Sequence, residues 1–369
     1  MTSSWPKDAP SGTIGVEEEF FLVDPASGAP TPIVEGVLAG GTAGTREFVQ
    51  ELVEGCTDVC TSADDVLGEL VQLRAELGTA AARHGSSIAG VGAHAFARPE
   101  DLLLTETARY REMSDSLPWT WREATTCGMH VHIGVHDPDV AIQVCDRLRS
   151  YLPVLLAMSV NSPLWRGQRT GLASIRTVLR RLQPRTGLPP RHGSWARYVQ
   201  RMDALAAAGV PDGSWTWWGV RPHPTHGTVE LRVFDTQSDV RNAHALASLA
   251  AALVAHLQRT DADPFTVADE TLLEENWWNA MRGGVAGRHL MDGDNGYRTQ
   301  LLGDSAFELL DLLDDQLADD VVARLRTLAL CPEADRQLAD FEEGGCRRAM
   351  RAAAQRTMES CVAAFPTVG

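Results

Sequence analysis

Residues 13–24 read TIGVEEEFFLVD, with Glu17-Glu18-Glu19 inside an aromatic and β-branched run. In a strand, side chains alternate between faces, so Glu17 and Glu19 share one face and Glu18 takes the other. Two carboxylates at i and i+2 repel each other and disfavour the strand unless something neutralises them. A divalent cation is the natural neutraliser. The competing reading is an edge strand whose acids face water. The flanking Val16, Phe20, Phe21 and Leu22 speak instead for a packed strand, closed by the turn residues Asp24-Pro25 and Ser27-Gly28.

The pattern recurs. Glu54 ends Glu51-Leu52-Val53-Glu54, in a strand expected around 50–57; it reads as a second inward acid or as a surface one. His130-Val131-His132 lies between Gly128 and Gly134 in a strand expected at 126–135. Such a pair suits a metal, or one phosphate-facing histidine beside a structural one. Glu230-Leu231-Arg232, with Asp235 behind it, falls in a strand expected at 228–234. It reads as a salt bridge, or as a metal acid beside an arginine that grips carboxylate or phosphate. If these strands share a sheet, one face becomes a bowl lined by Glu17, Glu19, Glu54, His130 and Glu230. Carboxylate dominance favours Mg²⁺, with Mn²⁺ as second choice, over structural zinc. Mg²⁺ keeps water and substrate phosphates, which implies ATP. There is no GxxxxGK[ST], no GxGxxG opening a helix and no GxSxG. Arg176 and Arg232 are the preferred anion-binding arginines, with Arg109 a further candidate.

Helices are expected at 62–84, 138–159 and 194–208, a short strand at 87–95, and a Pro/Gly-rich loop at 183–193. From Asn242 the chain reads as helical, about 242–258, 267–281, 301–328 and 333–360. The strands lie in the first two thirds without regular strand–helix alternation. This predicts an α+β fold with an antiparallel sheet and a helical C-terminal region that packs on it. A single catalytic domain is expected over 1–369, with a sheet-rich core about 13–240 and a mostly helical part about 241–362.

The formal charge is −16, from 33 basic and 49 acidic residues, and Lys7 is the one lysine. That balance argues against nucleic acid and anionic membranes as partners. The seven cysteines are scattered with no CxxC pair, and no stretch of 18 apolar residues occurs. A reduced, cytoplasmic setting is the expectation. The sequence carries no signal of oligomeric state, for which a homodimer is the default.

GVEEEFFLVD at 15–24, CGMHVHIGV at 127–135, NSPLWRGQRTGLASIR at 161–176 and GTVELRVFD at 227–235 together resemble the glutamate–cysteine ligase type 2 family, which includes the YbdK-like carboxylate–amine ligases. HAFARPEDLL at 94–103 and ARY at 108–110 extend the resemblance over roughly residues 13–240. It implies a glutamine-synthetase-like fold, a curved antiparallel sheet with helices packed behind it, whose bowl holds ATP and Mg²⁺. Glu17, Glu19 and Glu54 then match acids that hold the metals, His130 the family's motif histidine and Glu230 a further metal or phosphate contact; Arg232 would hold phosphate or the donor carboxylate and forms the expected catalytic pair with Glu17, while Arg176, chosen from the residues alone, is expected on the cofactor's anionic groups. The implied reaction joins a carboxylate, glutamate by default, to an amine, cysteine by default, through an acyl phosphate.

Two departures stand out. His132 occupies a position that is usually Asn in the classical ligases. WWNAMRGGVAGRHLMD, from Trp277 to Asp292, replaces a WRAARxGLD-like pattern in what reads as the family's helical segment. The alternatives are ligation of a different carboxylate and amine, a non-catalytic ATP-binding regulator, a guanidine-directed phosphotransferase, or a metal hydrolase built on His130 and His132.

Overall fold

The computed structural model of the protein describes residues 4–260, 264–294 and 296–364. Its sheet is organised around β1 (Ile14–Val23), the strand with the acidic triplet. On one edge β1 pairs with β3 (Leu52–Cys56), which in turn carries β2 (Gly44–Arg46). On the other edge β4 (Ser87–Ala89) covers Phe21–Val23 and β5 (Gly128–Gly134) covers Ile14–Glu18. Beyond β5 lie β7 (Thr228–Asp235) and then β6 (Val220–His223). Every pairing is antiparallel, in the order β6-β7-β5-β1-β3-β2 with β4 beside β1. The four motif strands therefore share one sheet. A bulge between Leu231 and Phe234 interrupts the β7–β5 ladder; an extra residue of this kind bends and twists its strand.

The helices divide between the two faces. α1 (Ala63–Ala82) lies against the outer face, started by a capping box in which Ser62 and Asp65 satisfy each other's backbone N–H. α2 (Ala108–Ser116) and α3 (Pro118–Glu123) lie over the inner face. α4 (Pro138–Ser159), capped by Asp137, runs behind the sheet and is almost wholly buried from Leu148 onward. α5 (Ile175–Arg180) returns to the inner side, α6 (Trp195–Ala207) is tied to the start of α4 through the Trp195 N–H and the Asp139 carboxylate, and α7 (Val240–Arg259) packs behind.

One apolar cluster joins Val16, Met129, Val131, Ile133, Val229 and Leu231 of the sheet to Leu148, Leu152 and Leu155 of α4 and Leu246, Leu249 and Leu253 of α7. α8 (Glu270–Gly283), α9 (Leu302–Leu312), α10 (Asp319–Leu330) and α11 (Glu333–Ala364) reach the same cluster through Trp277, Leu309, Leu325 and Cys361.

Glu18 faces this outer side and is fully buried. Arg74 of α1 grips it with Nε at 2.8 Å and Nη2 at 2.5 Å, and donates also to the carbonyls of Gln237 and Ser238. Both carboxylate oxygens and two loop carbonyls are thus satisfied by one guanidinium.

Three expectations are corrected. The strand expected at 87–95 stops at Ala89 because the chain then runs tightly against residues 235–238. A Cβ on Gly90 would stand 2.3 Å from the Gln237 carbonyl oxygen, and one on Gly92 would stand 2.6 Å from Asp235. The segment read as helical to Asp292 instead leaves α8 at Gly284, which takes φ +53°, and forms a hairpin of β8 (Arg288–Gly293) and β9 (Gly296–Leu301). In β8 the buried His289 and Met291 alternate with more exposed neighbours, a period of two that the helical reading passed over. The helix expected at 301–328 divides into α9 and α10, and α11 breaks at Gly344-Gly345, where Gly345 takes φ +71°.

At Gly134 an added Cβ would meet the Pro10 carbonyl oxygen at 1.9 Å. Gly134→Ala is therefore expected to cost about 1–3 kcal/mol through forced backbone movement, read from a denaturant midpoint; an unchanged midpoint would contradict this packing.

Candidate active site

The register of the sheet assembles the site. Glu17 stands opposite His130, Glu19 opposite Glu54, His132 opposite Glu230, and Glu230 opposite Arg221. Directly paired residues share a face, so these side chains converge inside the bowl. His130 Nδ1 lies 3.0 Å from one Glu17 oxygen and His132 Nε2 lies 3.2 Å from the other. His132 Nδ1 meets the Thr228 hydroxyl at 2.9 Å. With Nδ1–H of His130 donated to Glu17, its Nε2 keeps a lone pair. Burial pushes Glu17 towards protonation, but the two imidazoles outweigh that and hold it well below the usual carboxylate range. Glu230 is buried and paired with both Arg221, at 2.5 Å, and Arg232. Despite its burial, these cations keep it ionised.

The other end of the bowl is predominantly acidic, with the Arg180 guanidinium as the cation that faces it. Glu19, Glu47 and Glu54 bring ligand atoms within 4.8 Å of one another. Glu19 accepts from the Gly128 N–H at 2.5 Å and Glu54 from the Thr45 hydroxyl at 3.2 Å. No ion pair joins this trio to a described cation within 4.0 Å. Burial and the neighbouring Glu19 push Glu47 up to about 7; burial and the charges of Glu47, Glu17 and Glu19 push Glu54 well above its ordinary value. Oxygen ligands clustered at a cost in like-charge repulsion are what a hard divalent cation relieves. Glu17, His130 and Glu230 form a second group of the same spread. The residues present therefore fit a metal.

The sign of the pH effect follows. A carboxyl whose folded pKa lies above its unfolded value of about 4.3 stabilises the fold fully at low pH, and that contribution is lost as pH rises through the folded value. Metal-free protein should thus lose stability between pH 5 and 8 relative to Glu47→Gln, and Mg²⁺ should suppress the difference. The groups facing Glu47 are Glu19, Glu54 and Arg180. Melting curves of both proteins across that range check this; parallel curves without metal would contradict it.

Glu17, Glu19, Glu54, His130 and Arg232 line one cavity of about 350 Å³, with Glu230 beneath its wall. Arg176 sits apart. Its guanidinium donates to the Arg232 and Val233 carbonyls and lies 3.6 Å from Asp235, packed so closely under Gly128 that a Cβ there would be 2.1 Å away. Glu47, Arg180 and Arg221 are functional candidates the sequence reading passed over. Arg180 follows Arg176 by one helical turn and Arg221 lies in an alternating strand, so both left a periodic trace. Glu47 stands outside any strand and left none. Arg109, Ser214 and Arg221 also line a wider cavity of about 800 Å³, walled by Tyr198, Met202 and His223. His223 and His226, in the Pro-rich turn, stack at 4.4 Å.

An antiparallel bowl with opposed acidic and arginine-lined ends defines an enzyme that manages several negative charges in one place. The chain belongs to glutamate–cysteine ligase family 2, whose model matches residues 13–352, and so to the ligases that form carbon–nitrogen bonds. It is 40% identical over 288 residues to a glutamate–cysteine ligase of Halobacterium salinarum, covering 74% of this chain and 79% of the relative. It is 37% identical over 296 residues to a glutamate–cysteine ligase of Haloquadratum walsbyi, covering 76% and 81%.

Among solved structures, glutamate–cysteine ligase from Francisella tularensis in complex with AMP superposes with a TM-score of 0.69 at 14% identity, covering 95% of this chain and 88% of that one. A bifunctional glutathione synthetase from Pasteurella multocida gives the same TM-score and identity, and this chain spans about half its length, 52%. These likenesses show that the fold is shared.

Proposed function

We propose that the protein is a cytoplasmic, single-domain, ATP-dependent carboxylate–amine ligase that joins glutamate to cysteine through an acyl phosphate. The observation that carries this reading is the pair of acidic groups, Glu17/His130/Glu230 and Glu19/Glu47/Glu54, on one face beside Arg232. A carboxylate oxygen of the donor attacks the γ-phosphorus of ATP, the bond to the bridging oxygen breaks and ADP leaves. The amine nitrogen then attacks the acyl carbon, phosphate leaves with the bonding pair, and the amine proton is released to solvent.

Glu17, Glu19, Glu54, His130 and Glu230, joined by Glu47, would hold Mg²⁺ or Mn²⁺. Bound there, the cation neutralises charge developing on the transferred phosphoryl group. Arg232, oriented by Glu230, presents its guanidinium where that charge grows. The Glu17 carboxylate, fixed between two imidazoles, stays ionised and positioned throughout. No protein nucleophile is required.

The wide adjoining cavity favours a second reading of the same chemistry, ligation of an amine larger than cysteine. One assay addresses both: ADP release with Mg²⁺ against pooled carboxylates and amines, with product masses recorded. Turnover that needs glutamate and cysteine and yields their summed mass less water supports the first reading. Turnover with another amine selects the second. Binding of ATP and Mg²⁺ without turnover on any pair would favour a regulator of the same fold.

A further inference from the structure

The face of β7 that carries Glu230 also carries Thr228 two residues earlier, and His132 of β5 stands opposite Glu230 in the register. Thr228 is therefore diagonal to His132, and the long imidazole bridges that gap. The two residues are buried, and the Thr228 hydroxyl lies 2.9 Å from His132 Nδ1. Thr228 makes no other side-chain hydrogen bond among the described residues. At the opposite edge of the ring, His132 Nε2 is 3.2 Å from a Glu17 oxygen and 3.8 Å from a Glu230 oxygen. It lies between the two acids, aligned for a full hydrogen bond with neither. The rings of His223 and His226 stand edge-on to that of His132, with centroids 5.3 and 5.8 Å away, and brace its plane.

A neutral imidazole carries one N–H, and the partner of one nitrogen decides what the other can do. A lone pair at Nε2 would face two carboxylates, whereas an N–H there attracts both. With the proton on Nε2, Nδ1 is an acceptor and takes the Thr228 hydroxyl proton. The reverse tautomer would leave that hydroxyl proton buried without an acceptor. We propose that Thr228 is a positioning residue for the active site: by donating to Nδ1 it anchors the His132 ring so that its Nε2–H stands between Glu17 and Glu230 and holds the Glu17 carboxylate in place. Thr228 lines neither the bowl nor the wider cavity, so it acts only through His132. That Glu17 then serves a divalent cation rests on the ligase reading; the anchoring of the ring does not. Groups that orient a ligand from behind are worth about 10–100-fold in metal affinity.

Two measurements on the full chain test this. Long-range proton–nitrogen spectra of the metal-free protein, at about pH 8 where an ordinary imidazole is neutral, read the ring directly; the His132 signals are those missing from His132→Gln. The expected result is Nε2–H in wild type and in Thr228→Ser, with a hydrogen-bonded Nδ1 whose resonance moves to that of a free acceptor in Thr228→Val. Titration with Mn²⁺ alone, followed by electron paramagnetic resonance, should show binding about tenfold or more weaker in Thr228→Val and restored in Thr228→Ser. His132→Gln supplies an amide N–H near the place of Nε2 without help from Thr228, so adding Thr228→Val to it should cause no further loss. A proton on Nδ1 or on both nitrogens in wild type, or an Nδ1 resonance unmoved in Thr228→Val, overturns the inference. Should Thr228→Val fail to fold, the spectra of wild type and Thr228→Ser decide by the same criterion. The expected spectra in a protein that binds no Mn²⁺ would retain the anchor and discard the metal reading. Ligase turnover with Mn²⁺ affinity unaltered in Thr228→Val would do the reverse.

Discussion

Arg74→Ala is expected to lower the unfolding free energy by about 3–5 kcal/mol, the cost of leaving a buried carboxylate without its counter-ion. Glu18 has no access to water, and Arg74 supplies both of its hydrogen bonds while also satisfying the Gln237 and Ser238 carbonyls. Removing the cation strands three acceptors at once, both Glu18 oxygens and the Gln237 carbonyl, and leaves the Ser238 carbonyl only the Ser360 hydroxyl. Glu18→Met combined with Arg74→Met should recover much of the loss, because the charge is gone, but not all of it, because the Gln237 carbonyl loses its guanidinium donor and the Ser238 carbonyl keeps only the Ser360 hydroxyl at 3.5 Å. Urea unfolding of the three proteins reads this directly. A loss under about 1 kcal/mol in Arg74→Ala would mean the pair is solvated, as surface ion pairs are.

Glu17→Gln should reduce ATP-dependent amide formation by about 10²–10³-fold, on the scale of removing one pre-positioned electrostatic group from an enzyme site. The substitution keeps shape and volume but removes the charge that two imidazoles hold ionised. Some stability should be lost as well, since the two imidazoles that hold Glu17 ionised also tie it to the fold, so turnover is read on protein shown to be folded. Turnover within threefold of wild type, in a protein with an unchanged circular dichroism spectrum, would remove Glu17 from the reaction.

Much of this molecule was legible because its chemistry is written with a period of two. Glu17/Glu19, His130/His132 and Glu230/Arg232 each sit on alternate positions of apolar strands, and the sheet brings all three pairs to one face. α4 was equally plain, from the Asp137-Pro138 start to the polar stop after Ser159. What escaped depends on distance in the sequence. Glu47 joins Glu19 and Glu54 only after β2 folds back on β3, and no local pattern records that. The carbonyls that engage Arg176 belong to a strand more than fifty residues away, so its place against Arg232 and Val233 left no local trace. The β8–β9 hairpin was hidden by helical neighbours on both sides and by glycines that end one element without naming the next.

The acidic triplet has a consequence for how the chain tolerates insertion and deletion. A slip of β1 by one residue would turn Glu17 and Glu19 into the apolar layer and Glu18 into the bowl, while Arg74 would lose its partner. The wrong alignment is thus penalised twice, by two unpaired carboxylates and by one unpaired guanidinium. One added or missing residue inside β1 would therefore abolish the folded protein rather than tune its rate. The three consecutive acids work as a phase mark, telling the chain which set of side chains on its central strand belongs to which face.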